Sequence, residues 1–329
     1  MYRVLIIADV PNWCFAKRAQ ALQEYAPDGW EIAVEYYGGL NRESQIVYEG
    51  FDLVFVLAPQ IVRGVRQAFN ASGCKIPIVV SYNSGPSRTG YDLNEALVAA
   101  DFVVINNYMS YANGRYGTRK YNACNISNGI DCRVFKPTTP WQDRPSRALW
   151  TASKNKADDS SDVKGWQRTL KPLSLICHNN KSYGLDTDFR VVEPGEEMNE
   201  EQMVEYYNSG RVLLCASTSE GTPNIALEAA ACGTTVVTTR VGNMPELIRS
   251  GYNGFLVHPR AGCHAGLLEF LEELESTEHR EKWQVAAENM LPIIQKWDWS
   301  IRSQWFYALF RAVIEKGAEN VRPFSYLNT

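Results

Sequence analysis

Short apolar runs of strand length alternate with longer stretches whose apolar residues recur at helical spacing, and the alternation persists along most of the chain. In the first half the strand-like runs are Tyr2 to Ile7, Glu31 to Tyr36, Leu53 to Leu57, Ile78 to Tyr82 and Phe102 to Ile105, with a shorter one near Asn125 and Ile126. Between the first two, Phe15, Ala19, Leu22 and Ala26 fall on one helix face at spacings of four, three and four. A polar, proline-rich passage from Lys136 to Pro145 reads as a domain linker. Strand-like runs resume at Ala148 to Thr151 and recur at Phe189 to Val192, Val212 to Ala216, Thr235 to Thr238 and Gly254 to Val257. Amphipathic, aromatic-rich helical stretches follow around Leu267 to Leu274, Arg280 to Met290 and Trp299 to Glu315. Strands separated by crossover helices predict an α/β chain of two parallel-sheet domains, with the boundary near residues 140 and 141.

Length and charge agree with that division. A chain of 329 residues exceeds the usual size of one core. The net charge of -4 divides into 15 Lys+Arg against 13 Asp+Glu in residues 1–150 and 18 against 24 in the remainder. That balance is too mild for a strongly basic nucleic-acid-binding domain. The eight cysteines, at 14, 74, 124, 132, 177, 215, 232 and 263, show no metal-ligand spacing and read as reduced and mostly buried. The first residues form a strand rather than a signal peptide, and no run of about 18 apolar residues suits a membrane span. The expectation is a cytoplasmic protein, with peripheral contact to a membrane surface left open.

Chemistry concentrates in one segment, Ser219-Glu220-Gly221-Thr222-Pro223-Asn224-Ile225-Ala226-Leu227-Glu228, running on to Gly233. Thr222 suits an N-cap, Pro223 the first helical position and Gly233 the end, so a helix from Pro223 to Cys232 is predicted. Its open amides at Asn224 and Ile225, at the positive end of the helix dipole, favour an anion such as pyrophosphate. Glu220 stands just before that end. Glu228 is the one charge among Ala226, Leu227, Ala229, Ala230 and Ala231, so on a buried helix it needs polar partners. Taken alone, the segment is equally a capped core helix with Glu228 turned to water.

The run from Ser219 through the strand Thr235 to Thr238, the turn Gly242-Asn243-Met244-Pro245-Glu246 and Gly251 to Val257 closely resembles the nucleotide-sugar half of the family-4 retaining glycosyltransferases. The resemblance implies a GT-B fold, two Rossmann-like domains with parallel sheets facing across a cleft. It assigns residues 1–140 to an acceptor domain and 141–299 to a donor domain, with the helix of residues 300–329 returning to the first. Two glutamates eight positions apart flank the family's donor site, as Glu220 and Glu228 do here. By that resemblance Glu220 contacts the transferred sugar, Gly221, Thr222, Pro223, Asn224 and Ile225 hold the diphosphate, and Glu228 binds the ribose hydroxyls. Lys164 and Lys154 are similar to the family's two basic residues on the diphosphate, although arginine is usual where Lys154 stands. Lys164 and Glu220 are the implied catalytic pair. The expected reaction is retaining transfer from a nucleoside-diphosphate-sugar to an acceptor hydroxyl, with no metal and no other cofactor.

The first half is less specific. Asp9, Asn12 and Trp13 follow the opening strand, and Asn83 stands about where many family members carry a histidine; these four are the acceptor-side candidates. Neither half's first strand is followed by GxGxxG, which argues against a dehydrogenase. Asp186-Thr187-Asp188 has a metal-site spacing but is read as a polar loop. Arg115, Arg119 and Lys120 interleave with Tyr108, Tyr111, Tyr116 and Tyr121, so the acceptor stays open: a saccharide, a lipid-linked or small molecule, or a nucleic acid. Transfer to a nucleic-acid base and a catalytically silent nucleotide-sugar-binding protein are the alternatives.

Overall fold

Runs rich in Val, Ile and Leu form strands because branched side chains pack well on a pleated surface, and among the described residues every strand pairing is parallel. The computed structural model of the chain describes residues 1–11, 14–37, 46–83, 97–112, 122–179, 186–258, 267 and 277–322. The chain divides into two units, Met1–Gly129 with the stretch from Trp299 onward, and Ile130–Asp298.

The first unit contains, in order, β1 (Tyr2–Ala8), α1 (Cys14–Glu24), β2 (Trp30–Tyr36), β3 (Leu53–Val56), α2 (Val62–Ser72), β4 (Ile78–Tyr82), β5 (Phe102–Ile105), α3 (Tyr108–Ala112) and β6 (Ala123–Asn125). Its sheet runs β2-β1-β3-β4-β5-β6. Successive strand residues point to opposite faces, and both faces are covered. Val4, Ile6, Phe55 and Val104 pack with Leu22 of α1 and with Phe306 and Phe310 of helix Trp299–Lys316. Leu5, Ile7, Val56 and Val80 pack with Val62, Val65 and Phe69 of α2. Two-sided burial is why these strands read as continuous apolar runs.

The second unit contains β7 (Arg147–Ser153), α4 (Lys154–Ala157), α5 (Lys171–Asn179), β8 (Asp186–Val192), α6 (Glu200–Asn208), β9 (Val212–Cys215), α7 (Asn224–Ala231), β10 (Thr235–Thr239), α8 (Met244–Leu247), β11 (Phe255–Val257) and α9 (Thr277–Ile294). Its order, β11-β10-β9-β7-β8, places β7 between neighbours reached in opposite directions along the sheet. Open parallel sheets bind ligands outside the carboxyl ends of the strands at such a switch point.

Several local expectations are corrected. The proline-rich passage is packed inside the second unit: Trp141 is buried, and its indole N–H donates to Arg211 O at 3.1 Å and Thr235 Oγ1 at 3.0 Å. Asp186 and Asp188 lie in β8, not in a loop, and are held by Arg147 at 2.6 Å and Arg190 at 2.7 Å. Pro223 is the N-cap of α7 rather than its first residue, with no side-chain cap, and the helix ends at Ala231. Thr222 precedes that cap, and its hydroxyl accepts from Asn243 Nδ2 at 2.9 Å. None of the seven described cysteines forms a disulfide; Cys124, Cys177, Cys215 and Cys232 are buried, whereas Cys14 is exposed.

Candidate functional site

Lys154 and Lys164 follow the carboxyl end of β7, and Glu220 follows that of β9. After β9 the chain runs through Ala216 to Pro223 before entering α7, and this loop is gripped from both sides. Gly165 adopts φ +70° with its Cα so close to the loop that an added Cβ would lie 2.3 Å from Ala216 O. Gly242, at φ +53°, would bring a Cβ to 2.3 Å from Gly221 O. Only glycine fits positions that combine positive φ with such an approach. Thr218 N donates to Val163 O at 2.8 Å and Asn243 N to Gly221 O at 3.1 Å. Thr239 Oγ1 donates to Ser217 O from the end of β10.

Lys164 reaches this loop from the segment before the turn Trp166–Leu170, whose start is capped by Asp162: its carboxylate accepts from the amides of Gln167 and Arg168, both at 2.9 Å. Lys164 Nζ donates to Glu220 Oε1 at 2.5 Å, and Ser217 Oγ donates to the same oxygen at 2.8 Å. The Lys164 and Glu220 side chains are 25% and 14% exposed, so the pair is shielded yet reachable from solvent. Hydrogen bonds to a charged acceptor in partial burial are short and directional.

In α7 the first intrahelical bond is donated by Ala226 N to Pro223 O, leaving Asn224 and Ile225 ahead of the first bonded turn, where a helix concentrates positive partial charge. Gly221 and Pro223 are buried, and Thr222, Asn224 and Ile225 are half-buried around it. Glu228 lies one turn beyond Asn224 and is half-buried; its Oε2 accepts from the hydroxyl of Tyr207, which belongs to α6, at 2.7 Å. Lys154 opens α4 and pairs with Glu193 at 2.7 Å, with both side chains about half exposed. The second unit thus brings Lys164 and Glu220 into direct contact, whereas Lys154 and Glu228 make separate contacts. Ser217, Tyr207 and Asn243 join the site without having been singled out in the sequence. Each stands on a different element, and the sole signal was Asn243 in the turn after β10.

In the first unit, Asp9 follows β1, the strand between β2 and β3 where the order reverses. Among the described residues its buried Oδ1 has no hydrogen-bond partner, and burial raises the carboxyl above its ordinary range. Asn83, at the end of β4, accepts at Oδ1 from Arg18 Nη1 and Ser81 Oγ, both at 2.7 Å, and donates through Nδ2 to Leu57 O at 2.9 Å. Asn12 and Trp13 lie outside the described residues, as does the basic and aromatic run Arg115, Tyr116, Arg119, Lys120 and Tyr121. Among the described residues no three His, Cys, Asp or Glu side chains gather as metal ligands. No helix among them is long and apolar enough to cross a membrane.

Residues 177–274, which include Glu220 and α7, match the family described as Glycosyl transferases group 1. A D-inositol 3-phosphate glycosyltransferase of Acidothermus cellulolyticus is 42% identical over 271 residues, covering 73% of this chain and 58% of that protein. The enzyme of the same name from Thermobifida fusca is 41% identical over 56 residues, 17% of this chain and 13% of its own length. The chain therefore spans well under two thirds of the curated relatives it matches. Sucrose-phosphate synthase from Thermosynechococcus elongatus superposes with a TM-score of 0.72 at 14% identity, covering 95% of this chain and 99% of that one. Anabaena HepE in complex with UDP-glucose gives 0.70 at 14%, covering 95% and 100%. The family resemblance read from the sequence holds, and the fold is the expected α/β GT-B type with two Rossmann-like parallel sheets.

Proposed function

We propose, from the premise that the chain carries a group 1 glycosyl transferase segment on a GT-B fold, that it moves a sugar from a nucleoside diphosphate to an acceptor hydroxyl. The observation that carries the reading is the contact of Lys164 with Glu220 directly before the open end of α7, with Glu228 one turn inside that helix. A cation, a helix N-terminus and two separated carboxylates match the parts of a diphosphate-linked sugar in order: phosphates, sugar and ribose. HepE was crystallised with UDP-glucose, so a uridine nucleotide is the first donor to try.

In this reading the amides at Asn224 and Ile225 and the ammonium of Lys164 meet the diphosphate, stabilising the charge that grows on it as the anomeric bond breaks. Lys154 adds a second, more exposed positive charge. Lys164 then shifts its bonding from Glu220 to the phosphates, and the Glu220 carboxylate faces the sugar, where it offsets positive charge developing at the anomeric carbon. Leaving-group charge is met by side chains and a helix end, so no metal is required. The departing phosphate takes the proton of the acceptor hydroxyl as the new bond forms on the same face, and the donor's anomeric configuration is kept.

A thermal-shift panel of UDP-, GDP- and ADP-sugars tests the donor, because a ligand of the folded state alone raises the apparent melting temperature. Turnover of the donor that binds, assayed with EDTA present and with the product's linkage read by NMR, tests the chemistry. Undiminished transfer with retention is expected. No shift with any sugar nucleotide would defeat the reading, and an inverted linkage or loss of activity to EDTA would defeat its mechanism.

A further inference from the structure

We propose that Tyr207 is a positioning residue for Glu228, fixing its carboxylate in the orientation that receives two vicinal ribose hydroxyls; the assignment rests on the donor reading above. Tyr207 is wholly buried near the end of α6, and its hydroxyl donates to Glu228 Oε2 at 2.7 Å. Tyr206, beside it, is also buried, but its hydroxyl bonds only main-chain atoms, accepting from Trp150 N at 2.9 Å and donating to Trp150 O at 2.8 Å or Asp188 O at 2.6 Å. Of two adjacent tyrosines, one ties strands together and the other is aimed at the carboxylate of α7.

A glutamate side chain has three rotatable bonds, and one half-buried on an apolar helix is drawn toward water when nothing holds it. A phenol donor fixes one oxygen. A carboxylate accepts at about four lone-pair positions, so a bond to Tyr207 still leaves acceptor capacity for a diol. Tyr207 is itself held at both ends: its carbonyl accepts from Thr234 Oγ1 at 2.6 Å, and its ring packs against Phe135 with centroids 6.4 Å apart. Burial, followed by the charge of Glu228, holds the phenol well above its ordinary pKa, so it remains a donor at any working pH.

Calorimetry with UDP and with 2′,3′-dideoxy-UDP, in wild type, Tyr207→Phe, Glu228→Gln and the double variant, tests the assignment. Tyr207→Phe is expected to weaken UDP about tenfold, the effect of one hydrogen bond to a charged group, while the dideoxy analogue changes less than about twofold. With a UDP-sugar, KM should rise and kcat at saturation should hold. In the Glu228→Gln background, Tyr207→Phe should add nothing further. Unchanged UDP affinity, or equal losses for both ligands, would overturn the assignment while the donor reading stood. Failure of the wild-type chain to bind UDP, GDP or ADP would overturn both. Glu228→Gln alone should lose the same discrimination between the two ligands, which keeps the test valid if the phenylalanine variant folds poorly.

Discussion

The two units share a strand order around their switch points, yet they dispose of their polar residues in opposite ways. In the second unit the charged groups of the strand ends contact one another or solvent, and one buried arginine, Arg144, lies elsewhere with its bonding complete. Its guanidinium donates to Thr139 O at 2.7 Å, Asn208 Oδ1 and Cys232 O at 2.8 Å, and Thr234 Oγ1 at 3.0 Å. In the first unit one buried arginine, Arg18, consumes the strand-end residues: it bonds Ser81 and Asn83, while among the described residues its Nε and Nη2 have no hydrogen-bond partner. It is sandwiched between Phe55 and Phe306, at 5.4 Å and 4.8 Å from the ring centroids. Polar groups at a strand end signal a site only when the core has not already engaged them. Lys164, Glu220 and Glu228 can be reached by a ligand, whereas the amide of Asn83 is occupied.

The largest effect expected from this contrast is structural. Arg144→Ala leaves several carbonyls and two side-chain oxygens short of a donor, each a cost of about 1–3 kcal/mol before water enters. Carbonyls at the ends of α6 and α7 also lose the cation that complements their dipoles. We expect about 4 kcal/mol of destabilisation of the second unit, measured by urea unfolding. A loss under about 1 kcal/mol would mean that the network is replaced by water at little cost, and the contrast with Arg18 would lapse. Next in size is Glu220→Gln, which should lower kcat about 100-fold, roughly 2.7 kcal/mol, with UDP affinity within about twofold. A parallel loss of UDP binding would show that Glu220 supports the nucleotide instead of the sugar.

How far each half was legible follows from the same division. The strands were readable because both faces of each sheet are buried, and the runs beginning at Leu53, Ile78, Val212 and Thr235 carry that burial in their composition. Glu220, α7 and Glu228 could be singled out because the open helix end and the two carboxylates are contiguous in the chain. Long-range partners were not: 56 residues separate Lys164 from Glu220 and 21 separate Tyr207 from Glu228, and neither pairing leaves a periodic trace. Arg18 was hidden for a different reason. A basic residue on an amphipathic helix ordinarily marks the wet side, but α1 turns this one inward beneath the helix that begins at Trp299. The cap of α7 lies one residue later than expected, and the Thr222 hydroxyl meets Asn243 instead, a contact made across 21 residues that the sequence does not reveal.

Lys164 sharpens the comparison at smaller scale. Removing a framework cation should destabilise the fold, whereas removing a site cation should weaken the ligand. Lys164→Ala is expected to weaken UDP about tenfold, near 1.4 kcal/mol, and to leave uridine within about twofold. It should change the unfolding midpoint little, because the ion pair it breaks is partly solvated. Equal losses for UDP and uridine would reclassify Lys164 with Arg144 as part of the framework.

The smallest effect concerns Arg18 and has a distinctive pH dependence. Burial lowers its guanidinium to about 9, and among the described residues no carboxylate pairs with it. A base whose folded pKa is depressed is destabilising wherever both states are charged, so the cost is complete below pH 9. Between pH 9 and the much higher pH at which the unfolded chain's arginine would titrate, the folded chain releases the proton first and the cost fades as pH rises. Arg18→Met keeps an apolar chain between Phe55 and Phe306, and Ser81 Oγ still donates to Asn83 Oδ1 at 2.7 Å, so neither polar partner is orphaned. Cation–π attraction to the two rings offsets part of what removing the charge gains. The variant should therefore be more stable than wild type by only about 1 kcal/mol at pH 7, an exchange of a buried charge for apolar packing that is often favourable. The advantage should shrink between pH 9 and 10.5, measured as the difference between the two chains' urea midpoints at each pH. A loss of more than about 2 kcal/mol at pH 7 would show that Arg18, despite its unpartnered nitrogens, belongs to the framework of its unit in the way Arg144 belongs to that of the other.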